Sequence, residues 1–145
     1  MSSEQQLWNR VRGAVGHRVR MKRIESPITP GLPDVNYLFK GGEEGWFEMK
    51  YREWVPARPT TSVFSSRGLS EEQIGELRAR IKLGGRAWIV AGVDRAVFLI
   101  HGKYAEVFNA WNMRQLMARA SWKGGSQIAP AAWGDFLQIL RGKIH

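Results

Sequence analysis

Two acidic side chains and one lysine stand in a pattern that can do chemistry: Asp34 in Gly31-Leu32-Pro33-Asp34-Val35, and Glu48 and Lys50 in Trp46-Phe47-Glu48-Met49-Lys50. Alternate side chains of a strand share a face, so Glu48 and Lys50 point the same way. Asp34 joins them if its segment pairs with theirs as a hairpin. A three-residue loop, Gly41-Gly42-Glu43, pairs Lys40 with Glu44, which sets Asn36 opposite Glu48 and Asp34 opposite Lys50. In that register two carboxylates and one ammonium share a face. Such a set suits a hard divalent cation, which binds oxygen and often takes one or two protein carboxylates together with substrate phosphate. The Met49 carbonyl offers a further oxygen. Lys50 can orient or deprotonate an attacking water, or neutralise charge that develops on phosphate. The ordinary accounts stay open here: Glu-x-Lys on a strand is commonly a solvated pair, and Asp after Pro is commonly a turn residue.

The elements that must position these residues follow from periodicity and punctuation. Ser2 or Ser3 can cap a helix starting near Glu4, with Leu7, Val11 and Val15 at helical spacing and Gly16 as its stop. His17 to Glu25 alternates as a strand, with Val19, Met21 and Arg23 on one side and Arg18, Arg20, Lys22 and Ile24 on the other. Residues 26–33 hold three prolines and a glycine and read as a loop. Asp34 to Phe39 and Trp46 to Tyr51 are the hairpin strands. Arg52 to Gly68 is a long loop, of a length that is usually functional or mobile. Ser70 to Leu83 is a helix, with Ser70 and Gln73 at capping-box spacing and Ile74, Leu77 and Ile81 as its apolar stripe. Ala87 to Val93 and Ala96 to Ile100 are apolar strands joined at Asp94-Arg95. Ala105 to Ala120 and Pro130 to Leu140 read as helices, with Asn109 capping part of the first and Pro130 in the first turn of the second. The expected fold is therefore α/β, a mixed central sheet flanked by helices. Residues 1–145 are expected to form one domain, with a core over about 3–100 and C-terminal helices over 105–142.

Composition narrows the partners. The chain has 22 Lys plus Arg against 13 Asp plus Glu, a formal charge of +9. That excess favours a polyanion, most commonly nucleic acid. The basic residues are spread along the chain rather than gathered on one amphipathic helix, which argues against a membrane surface. With no cysteine, disulfides, Cys-based zinc sites and a Cys nucleophile are excluded. No signal-peptide pattern and no apolar run of membrane-spanning length is present, so a cytoplasmic protein is expected. His17, His101 and His145 lack metal-ligand spacing. The pairs Gly41-Gly42, Gly84-Gly85 and Gly124-Gly125 match no phosphate-binding loop.

Gly31-Leu32-Pro33-Asp34-Val35, a short strand and turn, Phe47-Glu48-Met49-Lys50, and then Leu69-Ser70-Glu71-Glu72-Gln73 opening a helix resembles the PD-(D/E)XK nuclease superfamily. The match is to its VRR-NUC and Holliday-junction-resolvase-like branch, which includes small phage-encoded endonucleases, and runs from the first helix to about Val93. The resemblance implies a PD-(D/E)XK, restriction-endonuclease-like core in which Asp34 and Glu48 are metal ligands and Lys50 is the catalytic lysine. Gln73 falls where this branch often carries an active-site glutamine; it is equally the capping partner of Ser70. These families also use an acidic residue on or just after the first helix. Glu4 and Glu25 both qualify, though Glu4 is also favoured at a helix start by the macrodipole, and Glu25 can be an ordinary strand-end charge.

DNA contacts are expected from Arg18, Arg20, Lys22 and Arg23 on the first strand and from Arg52, Arg58 and Arg67 in the long loop. Such residues set affinity and register through phosphates without reading sequence. Basic side chains on a strand edge also serve simply to discourage aggregation. Trp111, Trp122 and Trp133 are expected in the core or a subunit interface rather than stacked on bases. The expected function is Mg2+-dependent hydrolysis of DNA phosphodiesters, with Mn2+ as a substitute metal, on branched DNA in the manner of a junction resolvase. Resemblance to resolvases also implies a homodimer, and the host cytoplasm if the chain is phage-encoded. The enzyme alternative is a VRR-NUC-like nicking, flap-cutting or non-specific nuclease. The alternative of another class is a catalytically silent DNA-binding module, whose mark, loss of one of the three central residues, is absent.

Overall fold

A computed structural model describes residues 3–24 and 28–142. Six strands form one sheet in sequence order: β1 (Arg20–Arg23), β2 (Val35–Leu38), β3 (Glu44–Arg52), β4 (Ala87–Val93), β5 (Ala96–His101) and β6 (Trp122–Gly124). Only β3 and β4 run parallel; every other neighbouring pair is antiparallel. The β3–β4 crossover carries α2 (Glu71–Lys82), as a parallel connection requires. The other helices are α1 (Glu4–Val15), α3 (Ala105–Phe108), α4 (Met113–Arg119) and α5 (Pro130–Leu140). Among the described residues no helix is long and apolar enough to cross a membrane.

The sheet separates two apolar layers. On one side Leu7, Trp8, Val11 and Val15 of α1 and Trp133, Phe136 and Leu140 of α5 meet Tyr37, Phe47, Met49, Trp88 and Val90. On the other side Leu77 of α2, Phe108 of α3 and Leu116 of α4 meet Ile89, Ala91, Phe98 and Ile100. β4 is buried along its whole length, the behaviour of a central strand covered on both faces. Trp111, Trp122 and Trp133 are buried in the core rather than exposed to stack on bases, and Trp122, Trp133 and Phe136 pack ring against ring.

The first helix, the capping box of Ser70 and Gln73, β4, β5 and α5 lie where the periodicity places them. Three features differ. The hairpin register is Leu38↔Glu44, Tyr37↔Gly45, Asn36↔Trp46 and Val35↔Phe47, and Phe39 N–H donates to the Glu43 carbonyl at 2.9 Å, so the three-residue loop is Lys40-Gly41-Gly42, one residue earlier than Gly41-Gly42-Glu43. The 105–120 stretch is broken: α3 ends at Phe108, and a second helix begins after Asn112, whose side chain forms a capping box with Gln115. The Asn112-x-x-Gln115 spacing is itself a legible start signal. Asn109 does not cap a helix through its side chain; it clamps Leu69, donating to its carbonyl and accepting from its N–H, each at 2.8 Å. The three-residue β6 pairs with β5 in a stretch to which the periodicity assigns no element. The long loop is also tied down in its second half, where Val63, Phe64 and Leu69 are buried in the α2-side layer.

Candidate active site

The hairpin register differs from the expected one by two residues, and a shift of two preserves side-chain parity, whereas a shift of one would reverse every face. Val35 and Phe47 are partners, so the next pair down the ladder is Asp34 and Glu48. Asp34 therefore lies beside Glu48, rather than opposite Lys50 as a loop at Gly41-Gly42-Glu43 implies. On β3, Phe47, Met49 and Tyr51 enter the α1–α5 layer. Trp46, Glu48, Lys50 and Arg52 take the opposite face, where α2 lies over Trp46 with the Arg80 guanidinium 4.6 Å from its ring.

Two local devices hold Asp34 in place. Its carbonyl accepts from Ile24 N–H at 2.7 Å, extending the β1–β2 ladder by one pair. Its Oδ2 accepts from Met49 N–H at 2.8 Å, so the carboxylate itself replaces the ladder partner that β3 lacks there. The N–H and C=O of one strand residue project to the same edge, so the Met49 carbonyl faces the Asp34 side as well. The approach to Asp34 is shaped by Gly31, at φ +84°, where a Cβ would stand 2.4 Å from the Glu72 carbonyl oxygen. Only glycine lets this loop pack so tightly on the first turn of α2.

Glu48 is 2% exposed and is the buried charged residue among the core side chains. Its Oε2 lies 3.9 Å from Lys50 Nζ, while its buried Oε1 has no hydrogen-bond partner. Burial pushes its pKa up to about 10, and Asp34 adds to the rise, first through a hydrogen bond and then through its charge; Lys50 opposes it and Glu4 contributes a little more. As a carboxylate Glu48 leaves an acceptor without a donor; as an acid it donates to Asp34. Glu4, the first residue of α1, belongs to the same cluster. Burial and then Asp34 raise its pKa, while Lys50 and Arg23 lower it. Its Oε1 lies 3.6 Å from Arg23 Nη2. Of the two N-terminal acids, the fold thus brings Glu4 to Asp34, Glu48 and Lys50; Glu25 lies outside the described residues.

Gln73 is placed differently. Its Oε1 accepts from Ser70 N–H at 3.0 Å in the capping box, and it makes no hydrogen bond to Asp34, Glu48 or Lys50. Among the described residues no group of three or more His, Asp or Glu is placed to hold a metal ion together. The orphaned, buried Glu48 oxygen beside a second carboxylate nonetheless fits an oxygen-binding cation that leaves other positions to water or substrate, as magnesium does. A cation there would satisfy the unpartnered oxygen and offset the repulsion between the two carboxylates.

The basic residues divide into three groups. Arg20 pairs with Leu38 and Lys22 with Asn36, so both lie on the face that carries Asp34 and Glu48, and both are exposed. Arg18 is exposed just ahead of them. Arg23 faces the other way; it donates to Gln5 Oε1 at 2.7 Å and pairs with Glu4, so it braces the site rather than presenting a free cation. Arg52 rises two residues beyond Lys50 on the same face, its buried Nε without a partner. Arg58 and Arg67 are exposed in the loop. Arg67 also lines a cleft of about 300 Å3 with Ser3, Glu4, Lys50, Tyr51 and Glu53.

No family model matches the chain, and no curated protein matches it. Among solved structures, the chain is similar to Hjc of Archaeoglobus fulgidus, a Holliday junction resolvase from an archaeal hyperthermophile. The identity is 18% and the TM-score 0.46, over 69% of this chain and 74% of that chain. At that identity and score the likeness adds nothing to the site, which stands on its own geometry.

Proposed function

We propose that the chain is a metal-dependent endonuclease that hydrolyses DNA phosphodiesters, of the PD-(D/E)XK kind and acting on branched DNA. The observation that carries this is the buried Glu48 carboxylate, with one oxygen unpartnered, held against Asp34, Glu4 and Lys50 beside a cleft that Lys50 and Arg67 share with Glu4 and Glu53. Burying a second carboxylate beside a first is costly unless a charge or hydrogen bond compensates it. Asp34 and Glu48, with the Met49 carbonyl, would hold Mg2+, for which Mn2+ can substitute. When bound, such an ion supplies Lewis-acid stabilisation of phosphate charge and lowers the pKa of water.

The chain's own residues perform the remaining tasks. Lys50, on the same face as Glu48, holds its ammonium where phosphate charge accumulates and can orient the attacking water. Glu4 supplies the third acid. Gln73 fixes the start of α2 over this face. Arg20 and Lys22 extend the carboxylate face with positive charge, and Arg52, Arg58 and Arg67 flank it, so a phosphate backbone can run across the site with cations on either side. A homodimer would supply the two active sites that symmetric junction cleavage needs. Membership of the VRR-NUC branch rests on the motif resemblance.

The test is cleavage of four-way junctions, flaps, single strands and plain duplex, with magnesium and with EDTA, by the wild type and by Asp34→Asn and Glu48→Gln. Magnesium-dependent cutting that both variants lose is expected. Undiminished cutting by either variant, or cutting in EDTA, would sink the assignment.

A further inference from the structure

The segment that follows the active-site strand exposes an aromatic side chain at an unusual place. Glu53 lines the cleft that holds Glu4, Lys50 and Arg67. Val55 lines a second cleft, of about 530 Å3, together with Val93, Asp94, Arg95 and Met113. Trp54 stands between them and is 61% exposed, with Val55 itself 48% exposed. Residues 53–55 are thus a ridge dividing two clefts, one leading to the carboxylates and the other lined by Arg95, with an indole on its crest.

The other tryptophans among the described residues are placed otherwise: five are buried, and Trp46 lies beneath Arg80. Trp54 and Val55 put two adjoining apolar side chains in water next to the candidate active site, and the flat indole among them is a surface on which a base can stack. The surroundings suit such an occupant. Arg52 immediately precedes the ridge, Arg67 lines the first cleft and Arg95 the second, in a chain of charge +9, so cations that can hold a phosphate backbone stand on both sides of the indole, interspersed with Glu4, Glu53 and Asp94. Glu53 on the crest repels phosphate locally while leaving the uncharged face of a base unaffected. The ridge therefore matches a nucleic acid whose backbone follows the flanking cations and whose base meets the indole.

We infer that Trp54, supported by Val55, is a wedge that stacks on an unpaired or unstacked base of branched DNA and so directs this site toward junctions, flaps and single-stranded ends. This rests on the nuclease reading above and names the residue that selects its branched substrates. A base inside intact duplex has both faces covered by its neighbours, so the wedge has nothing to stack on there. A base at a branch point presents a free face at no further unstacking cost. Stacking is tolerant of base identity, since every base has a π-face, so the preference is for DNA shape and not for sequence.

The test uses the full chain in EDTA, which prevents cleavage. The probes are a flap and a four-way junction with 2-aminopurine at an unpaired or branch-point position, and a fully paired duplex of the same length. Wild type, Trp54→Ala and Trp54→Phe are compared; circular dichroism verifies that the variants fold, as expected for so exposed a side chain. Wild type should quench 2-aminopurine on binding. Trp54→Ala should lose that quench and bind branched DNA roughly ten-fold or more weakly, the scale of one base–aromatic stack, with duplex affinity unchanged. Trp54→Phe should restore part of both. Equal weakening on branched and duplex DNA, a quench that survives in Trp54→Ala, or a dimer in sedimentation that Trp54→Ala dissolves would each overturn the wedge while leaving the nuclease reading intact. Wild type that binds no DNA of any shape would overturn both.

Discussion

Replacing Glu48 by glutamine should make the metal-free protein more stable while removing its activity, and the size of the gain should depend on pH. Burial raises the folded-state pKa of Glu48 from 4.5 to about 10. Below pH 4.5 the side chain is an acid in both folded and unfolded chains and imposes no penalty. As pH rises toward 10, the unfolded chain releases this proton and the folded chain retains it, so folding stability falls at up to ~1.4 kcal/mol per pH unit. Between pH 4.5 and 8 an isolated group would lose up to about 5 kcal/mol on that scale; proton sharing with Asp34 and the nearby Lys50 charge reduce it, and a difference of about 2 kcal/mol is the working expectation. Glutamine keeps the shape, can donate to Asp34 through its amide, and does not titrate. In EDTA, Glu48→Gln and wild type should therefore unfold alike near pH 4.5, and at pH 8 the variant should melt roughly 4–8 °C higher. Saturating magnesium should reverse the order, since a ligand at 100 times its Kd stabilises the wild type by about 2.7 kcal/mol and the variant lacks half of the carboxylate pair. The assay is thermal unfolding from pH 4.5 to 8.5, with EDTA and with magnesium. A variant no more stable than wild type at pH 8 in EDTA, or equal stabilisation of both by magnesium, would refute the reasoning.

Lys50→Ala should keep the metal-dependent rise in melting temperature and most DNA affinity but lose single-turnover cleavage, because a charged lysine cannot ligate the ion it neighbours; a near-normal rate would make Lys50 a mere surface cation. DNA binding should weaken steeply with salt, at a log–log slope of about −0.9 per phosphate neutralised, and Arg67→Ala or Arg52→Ala should flatten it by about one unit. Salt-independent binding, or strong discrimination among duplexes of like shape, would contradict a phosphate-led interface. Gly31→Ala should lower stability by at least about 1–2 kcal/mol, from its positive φ alone, and cut cleavage as well, since the loop that carries Asp34 must leave α2 to accommodate the methyl group. Wild-type melting and activity in that variant would show that the close approach of Gly31 to Glu72 does not position Asp34.

Much of this protein is legible in its sequence because the informative patterns are local. The alternation of β1 and the apolar stripe of α1 are short-range consequences of side-chain geometry. The Ser70–Gln73 capping box and the unbroken apolar run of β4 follow from the same local rules. The common face of Asp34, Glu48 and Lys50 was also legible, since parity along a hairpin survives an error of two in the register. What tertiary structure alone decided depends on contacts between distant segments. The Asp34 carboxylate is beside Glu48 because it accepts from Met49 N–H, and its loop presses on α2 at Gly31. Glu4 enters the cluster because α1 docks its start beside β3, which no spacing in residues 1–50 encodes. Arg23 reads as a cation for DNA until the fold turns it to Glu4 and Gln5. The helix expected over 105–120 breaks, with Asn109 clamping the backbone of Leu69, forty residues away. Periodicity reports which face of an element is apolar; only packing determines which faces meet, and so which charged groups are buried together.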